Sequence, residues 1–206
     1  NILDSAGDNL WTLSGGIQTI LYSRIYLLCL NASNTASCVA GKEVLTADTY
    51  LLAAGSFSAL WARQLGFRLP VRPAKGYSIT VSMDTFRERP RVPIVDDSLH
   101  AALVPVGNAL RVAGTAEFAG YDLAVNPQRI ANLLNLFERV YPQLAATARE
   151  TDVQPWCGLR PLTPDGMPIV GRSPLENLFL NTGHGPLGWS MACGSGKAVA
   201  DIITGA

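Results

Sequence analysis

The chain has 206 residues, of which 48% are apolar and 16% charged, and its 16 Lys and Arg residues balance 16 Asp and Glu residues. A chain of this length can bury a substantial core without disulfides or metals, and zero net charge provides no electrostatic footprint for nucleic acid. The low charged fraction, with 19 Gly and 13 Pro, excludes disorder, coiled coil and collagen and favours a loop-rich enzyme domain.

The cysteine and histidine content gives no sign of a metal site. No C-x-x-C pair occurs, so zinc-ligand spacing is absent, and His100 and His184 are the only histidines. Widely spaced cysteines favour free thiols in a reducing compartment; they are Cys29, Cys38, Cys157 and Cys193. The longest apolar run, 17–30, is shorter than the roughly 20 residues of a membrane span and lacks the cleavage pattern of a signal peptide.

The first quarter of the chain has a weak pattern that becomes clearer toward its end. Apolar residues recur at helical spacing within 17–29, which predicts a helix, and the Thr, Ser and Asn residues of 31–37 predict a loop. Residues 47–55 form a short apolar run that ends in small residues, as a buried strand does, and 57–65 have helical spacing. A strand that leads into a helix is therefore expected there.

The middle of the chain has the pattern of an antiparallel sheet. Apolar and polar residues alternate in the second half of 69–81, as in a half-buried strand. Gly107-Asn108 supplies a tight turn between two of the strands that follow. Three further short strands are predicted, at 92–95, 101–105 and 109–114.

Helices and short strands alternate in the C-terminal part. Asn126-Pro127 predicts a helix start, with a capping side chain and Pro in the first turn; Pro142 ends that helix and opens a shorter one to 149. A loop at 161–168 follows an extended segment. Two strands are predicted next, at 169–171 and 178–181. A Gly-rich turn at 183–188 follows them and leads into a terminal helix that ends at about 204. The whole pattern predicts an α+β fold of mixed helices and strands.

The Gly-rich turn Gly183-His184-Gly185-Pro186-Leu187-Gly188 is the first candidate binding site. Its glycines let the backbone approach a flat ligand closely. The helix that follows directs N–H groups and partial positive charge at an anionic group, such as a phosphate or the N1–C2=O edge of a reduced flavin. An ordinary strand–helix turn is the alternative. The turn matches the G-x-G-x-x-G spacing, but no strand and no ribose-binding acid follow it, which argues against a dinucleotide fingerprint.

Arg160 and Tyr77 are the candidates for substrate contact. Arg160 lies among apolar residues in a segment that Pro161 keeps extended, where its planar guanidinium suits a carboxylate; a structural salt bridge is the alternative. Tyr77, in Lys75-Gly-Tyr77 at the start of a strand, could donate its hydroxyl to a ligand or lie at the edge of the core. Without a G-x-S-x-G elbow or a Ser-His-Asp set, hydrolase chemistry is disfavoured.

Five stretches resemble the D-amino acid oxidase/glycine oxidase superfamily of FAD-dependent amine oxidoreductases, and in particular its branch of bacterial D-amino acid dehydrogenases, at the flavin-carrying small subunit. They are ADTYLLAAGS at 47–56, LPVRPAKGYSITV at 69–81, RVAGTAEFAGYD at 111–122, WCGLRPLTPDGMPIVG at 156–171 and NLFLNTGHGPLGWSMACGSGKAVAD at 177–201. The last two are long and specific. Residues 1–44 show no such likeness.

The resemblance implies a dinucleotide-binding domain interleaved with a substrate domain that is built on an antiparallel sheet. By this likeness, residues 46–68 and 156–206 are expected to form part of the FAD-binding domain. Residues 69–155 are expected to form the substrate domain, and 1–45 remain an unmatched N-terminal segment.

The resemblance also implies roles for the candidate residues. Arg160 is expected to bind the substrate carboxylate and Tyr77 to line the pocket. FAD contacts are expected from Gly55, Gly158, Gly183, His184, Gly185, Pro186, Leu187 and Gly188, and no metal is expected. The implied reaction transfers hydride from the α-carbon of a D-amino acid to flavin N5, and the imino acid hydrolyses to a 2-oxo acid and ammonia. Electrons then pass to the respiratory chain. Glycine, sarcosine or another secondary amine is the alternative substrate.

The family pattern begins with a strand, a G-x-G-x-x-G turn and a helix that bind the ADP half of FAD, and the start of this sequence has no such motif. We therefore expect the chain alone to bind FAD weakly or not at all and to have little activity, with that motif supplied by a preceding segment or a second chain. A non-catalytic binding module is the remaining alternative. The expected location is the cytoplasm, or the inner face of the membrane as a peripheral protein.

Overall fold

A computed structural model describes the chain as two compact units, residues 1–71 with 163–206 and residues 72–162. Within residues 1–46 it describes the backbone of six strands. From residue 47 onward it describes every residue except 85, 147 and 149–152.

The six N-terminal strands form two antiparallel three-stranded sheets, β1-β2-β3 and β4-β5-β6. They are β1 (Ile2–Leu3), β2 (Asn9–Leu13), β3 (Ile17–Ile20), β4 (Ile25–Leu30), β5 (Ala36–Ala40) and β6 (Glu43–Leu45). The helix expected within 17–29 is therefore wrong, because β3 and β4 occupy most of that range. Short apolar runs fit either period, and the Ile, Thr and Tyr content of these segments favours strands. Most of the loop expected at 31–37 lies outside the described residues.

The same unit continues with β7 (Tyr50–Leu52) and α1 (Ser58–Gln64), joined by a 3₁₀ turn at Gly55–Phe57. This confirms the strand and helix predicted for 47–65. The buried residues of α1 and of the segment after it are Ala62, Leu65, Leu69 and Val71, and they pack in one cluster with Leu52.

The second unit is a five-stranded antiparallel sheet covered by a helix. Its elements are β8 (Arg72–Ser82), β9 (Ile94–Asp96), β10 (Ala101–Val106), β11 (Ala109–Glu117), α2 (Pro127–Val140), α3 (Pro142–Ala145) and β12 (Val153–Leu162). The strand order is β12-β8-β11-β10-β9. The predicted strands and the α2 start are confirmed: Asn126 accepts a hydrogen bond from the Gln128 N–H at 3.0 Å, with Pro127 in the first turn. The second helix is shorter than expected and ends at Ala145.

The two faces of this sheet differ in character. On one face, Tyr77, Ile79 and Val81 of β8 are buried against the α2 side chains Leu133 and Phe137. The other face, which we call the glycine face, carries Ala74, Gly76 and Ser78 of β8 beside Arg160, Gly158 and Trp156 of β12, since these residues are direct register partners. Successive side chains in a strand alternate between faces, so Tyr77 and Arg160 lie on opposite sides of the sheet.

The chain returns to the first unit through β13 (Ile169–Arg172), β14 (Leu178–Thr182) and α4 (Gly188–Thr204). These strands form a sheet in the order β13-β14-β7, in which β14 runs parallel to β7. Leu178 and Leu180 of β14 complete the cluster that contains Leu52. The predicted α+β class is confirmed. The boundary expected at 156 differs from the compact units, because 156–162 pair with β8 in the antiparallel sheet.

Candidate functional site

Arg160 lies on the glycine face with its guanidinium stacked over Gly76. An added Cβ at Gly76 would come within 2.5 Å of Arg160 Nη1, so only glycine leaves room for the side chain to lie there. Arg160 Nη1 donates a 3.1 Å hydrogen bond to the carbonyl oxygen of Thr115 in β11. Register pairing of β12 with β8 and the bond to β11 thus fix both ends of the side chain.

The charge of Arg160 is half-buried and has no acidic partner among the residues that the structure describes. Burial lowers the pKa of the Arg160 guanidinium, and no neighbouring carboxylate offsets that effect. A desolvated guanidinium without a counter-charge is unfavourable by itself and has N–H groups left for a planar anion. Of the two roles considered for Arg160, the structure therefore favours anion binding over a structural salt bridge.

A second glycine and an aromatic ring extend the site along β12. Gly158 pairs directly with Gly76, and an added Cβ there would lie 2.6 Å from Cζ2 of Trp156. The indole, 54% exposed, thus folds over Gly158 much as the guanidinium folds over Gly76. The Arg111 guanidinium stands 5.4 Å from the Trp156 ring. Glycine in the interior of a strand is the signal that could have identified this site from the sequence.

Tyr77 lies away from this face, in the core beneath α2, and is 1% exposed. Its hydroxyl donates a hydrogen bond to Glu117 Oε2. Burial, followed by the hydrogen bond and charge of Glu117, raises the pKa of the Tyr77 hydroxyl, which therefore stays protonated at neutral pH. The structure does not bring Tyr77 together with Arg160, and a role in lining the substrate pocket stays a prediction.

Lys75 forms a buried polar cluster next to Tyr77. Its ammonium donates hydrogen bonds to Asp122 Oδ2 at 3.0 Å and to the Ala124 carbonyl at 2.8 Å, and it stands 5.5 Å from the Tyr77 ring centre. Burial works to lower the pKa of Lys75, but the hydrogen bonds and charges of Asp122 and Tyr77 outweigh it and raise the pKa. These contacts hold the segment after β11 against the sheet.

In the other unit, two predicted cofactor-binding turns meet at one edge of the parallel strand pair. Gly55 follows β7 and Gly183 follows β14, so both lie beyond the carboxyl ends of neighbouring parallel strands. The hydroxyl of Thr182 donates to the Gly55 carbonyl at 3.0 Å and joins the two turns. In open sheets with parallel strands, ligands bind at this edge.

The turn from Gly183 to Gly188 has the backbone that a close-fitting flat ligand needs. Gly183 and Gly185 have φ of 79° and 54°, in the left-handed region that favours glycine, and an added Cβ at Gly183 would lie 2.7 Å from Thr163 Cγ2. Pro186 and Leu187 continue as a 3₁₀ turn into α4, whose start has no side-chain cap. The first N–H groups of a 17-residue helix are thus left without a capping side chain.

His184 adds an unpartnered polar atom to this turn. Its Nε2 is buried and has no hydrogen-bond partner among the described residues. Burial lowers the pKa of the imidazole, which is therefore neutral at pH 7. Leu187 and Trp189 next to it are 59% and 95% exposed. An uncapped helix start, positive-φ glycines and an orphaned ring nitrogen fit the edge of a flat, electron-rich heteroaromatic group.

Free cysteines, metal ligands and membrane spans can be examined in the part of the chain that the structure describes. Cys157 and Cys193 are free thiols there. That part of the chain contains no group of three or more His, Cys, Asp or Glu side chains placed to hold a metal ion. Among its helices, none has both the length and the apolar character to cross a bilayer.

Comparison with known proteins identifies the family to which the chain belongs. Residues 29–202 match the family described as DAO, FAD dependent oxidoreductase, so the likeness extends into 29–44, where none was apparent from the sequence. The match covers most of the 206 residues, so the chain belongs to this family of FAD-dependent oxidoreductases. The resemblance stated from the sequence is thereby confirmed, with oxidoreductase as the enzyme class and FAD as the cofactor of the family.

The chain is similar to several individual members of the family and to several solved structures. The chain is 46% identical over 181 residues to the D-amino acid dehydrogenase of Paramagnetospirillum magneticum (strain ATCC 700264 / AMB-1), covering 88% of this chain and 42% of that protein. Its structure is similar to iminodiacetate oxidase from Chelativorans sp. BNC1 (TM-score 0.75, 25% identity, 86% of this chain and 48% of the other). It is also similar to glycine oxidase from Geobacillus kaustophilus (TM-score 0.75, 25% identity, 87% and 47%). The chain thus spans less than half the length of each.

Proposed function

We propose that this chain forms the substrate-binding and flavin-contacting part of an enzyme that oxidatively deaminates D-amino acids with FAD. The observation that carries the proposal is Arg160, a half-buried guanidinium with no acidic partner among the described residues, held in place by Thr115 and Gly76. Such a group fits the carboxylate that every amino acid substrate carries. The 46% identity to a protein named D-amino acid dehydrogenase supports the choice of substrate class.

Arg160 contributes orientation in this proposal. Two parallel hydrogen bonds from a guanidinium to a carboxylate fix both the position and the plane of the carboxylate. The α-carbon is bonded directly to that carboxylate, so its C–H bond is aimed once the carboxylate is held. Orientation of this kind supplies a large share of the rate when the cofactor carries the difficult step. Trp156 beside Gly158 then bounds the space on one side of Arg160.

The turn from Gly183 to Gly188 holds the cofactor in this proposal. Gly183 and Gly185 admit its flat ring system, and the uncapped start of α4 stabilises the negative charge that builds on reduction. FAD held by these residues would supply N5 as the acceptor for the hydride of the α-carbon, and water would hydrolyse the resulting imino acid to a 2-oxo acid and ammonia. The neutral imidazole of His184 has one N–H donor and one acceptor nitrogen, so Nε2 can form a hydrogen bond with a polar group at the edge of the cofactor.

Two further partners belong to the same proposal. The ADP half of FAD is bound by a unit supplied by a preceding segment or a second chain, and the electrons pass to an acceptor of the respiratory chain. A cytoplasmic enzyme, or one attached to the inner face of the membrane, would serve that acceptor. Glycine or sarcosine is the second candidate substrate, which the structural likeness to proteins named glycine oxidase and iminodiacetate oxidase supports.

Flavin bleaching tests the function directly. With excess FAD and without oxygen, D-alanine and D-proline are expected to bleach the flavin absorbance, whereas L-alanine is not. Bleaching by glycine or sarcosine alone would favour the second candidate, and no bleaching by any of them would favour a binding module. Arg160→Gln is expected to raise the half-saturating D-alanine concentration at least tenfold, because a hydrogen-bonded charge contributes about 1.5–3 kcal/mol. Arg139→Ala, at an exposed ion pair with Asp96, is the matched control and is expected to change little.

A further inference from the structure

Thr115 has a backbone conformation that is unfavourable for its residue type. It lies where the pairing of β11 with β8 shifts between Gly114 and Glu117, which is a β-bulge. Its φ is 60°, in the left-handed region that a β-branched residue rarely adopts. Bulges redirect individual groups next to binding sites, and strained residues cluster at such sites.

The carbonyl and the hydroxyl of Thr115 differ in their hydrogen bonding. Its carbonyl oxygen accepts the 3.1 Å hydrogen bond from Arg160 Nη1. Its hydroxyl oxygen Oγ1 is buried and has no hydrogen-bond partner among the described residues. A glycine at 115 would keep the carbonyl and remove both the strain and the unsatisfied hydroxyl. Positioning Arg160 therefore does not by itself explain why the residue is threonine.

We infer that the Thr115 hydroxyl donates a hydrogen bond to the carboxylate that Arg160 binds, and that it is a further substrate-binding residue; this inference rests on the proposed function. The carbonyl contact places Thr115 directly beside the guanidinium. A carboxylate has about four lone-pair sites, so it can accept from a hydroxyl in addition to two guanidinium N–H groups. The pair selects carboxylates over neutral amides, because an amide would put an N–H group against one of the two donors.

Three substitutions separate the hydroxyl from the backbone of Thr115. Thr115→Val keeps the shape and the strained β-branched backbone but removes the hydroxyl. Thr115→Ser keeps the hydroxyl. Thr115→Gly removes the hydroxyl and relieves the positive φ, so it is expected to raise the melting temperature. Because serine and glycine variants do not depend on a β-branched residue at φ 60°, they report on the hydroxyl even where the valine variant fails to fold.

Binding of benzoate, a carboxylate with no α-hydrogen to transfer, is the readout. Its dissociation constant is measured by calorimetry on the full chain with excess FAD, and guanidinium ¹⁵N signals follow Arg160 during the same titration. Valine and glycine variants are expected to bind benzoate at least about tenfold more weakly, as loss of a hydrogen bond to a charged group predicts, with the serine variant within about threefold of the original chain. Benzamide has no carboxylate, so its dissociation constant is expected to change little in all three Thr115 variants.

The outcomes distinguish this inference from the proposed function. If Arg160→Gln abolishes benzoate binding but the valine and glycine variants bind as tightly as the original chain, the role of the Thr115 hydroxyl is overturned and the carboxylate site stands. If benzoate fails to bind the original chain, or Arg160→Gln has no effect on it, the carboxylate site itself is contradicted. Weakening by loss of the hydroxyl, with serine retaining affinity, supports the inference.

Discussion

Gly76→Ala tests whether the position of Arg160, and not only its charge, matters. The new methyl carbon would stand 2.5 Å from Arg160 Nη1. Carbon and nitrogen atoms in ordinary contact are about 3.5 Å apart, so the guanidinium must withdraw by roughly 1 Å. The bond from Nη1 to the Thr115 carbonyl, now 3.1 Å, does not survive a displacement of that size.

The expected effect on binding is large and the effect on stability small. Losing a hydrogen-bonded charge at the carboxylate amounts to about 1.5–3 kcal/mol, which corresponds to about a 10- to 150-fold rise in the dissociation constant of a carboxylate ligand. The clashing atoms are the far end of a flexible side chain, which can swing away. Alanine also loses less backbone entropy than glycine in a strand, by about 0.5–1 kcal/mol. The free energy of unfolding is therefore expected to change by less than about 1 kcal/mol.

The assay is a double-mutant cycle with Arg160→Ala, read by benzoate titration and by chemical denaturation. If Gly76 matters only because it leaves room for the Arg160 side chain, Gly76→Ala is expected to leave the benzoate dissociation constant of the Arg160→Ala variant unchanged. Equal losses of affinity in both backgrounds would refute the reasoning, as would an unchanged dissociation constant in the single variant.

Substitutions at three other positions test contacts elsewhere in the 72–162 unit. Tyr77→Phe leaves Glu117 without the hydroxyl donor of Tyr77, and denaturation is expected to show a loss of about 1–3 kcal/mol. Benzoate titration of the same variant tests the predicted pocket role of Tyr77: a higher dissociation constant would support it, and an unchanged one would argue against it. Asn126→Ala removes the α2 cap and should destabilise the chain by about 0.5–2 kcal/mol, with Asn126→Asp close to the original in the same denaturation curves. The pKa of Asp122 is lowered, first by the Ala124 N–H and then by Lys75, so its contribution is present above the unfolded value of 3.8 and is lost as the pH falls below it. Melting temperatures of Asp122→Asn should therefore decline less between neutral and acid pH than those of the original chain, and parallel declines would argue against that role.

Local sequence signals were sufficient for some of the regular elements of the fold and failed for others. The Asn126-Pro127 pair carries both a cap and a preset φ, so the start of α2 depends on few distant contacts. Alternation in β8 identified a strand because one of its faces packs against α2. The same reasoning failed at β3 and β4, where four- and six-residue runs are too short to separate a period of 2 from one of 3.6.

The site was only partly accessible from the sequence, since its key contacts join residues far apart in the chain. Arg160 could be nominated from its apolar neighbours, but its bond to Thr115 spans 45 residues and depends on the bulge in β11. The bulge begins next to Gly114, where an added Cβ would lie 2.5 Å from that of Ala101. Alternation puts Tyr77 on the same side of β8 as Ile79 and Val81, so its place in the core could have been predicted. Its hydrogen bond to Glu117 could not, because the two residues are 40 positions apart.

The parallel pairing of β7 with β14 has a consequence for biosynthesis. These strands lie on either side of the 72–162 unit in the chain, and the bond between Thr182 and Gly55 spans 127 positions. During translation, all strands of the antiparallel sheet are available once residue 162 has left the ribosome. β7 can pair with β14 only after β14 has also been synthesised. The nascent β7 is thus a strand edge exposed to wrong partners during that interval, and slower elongation between the two strands would lengthen its exposure.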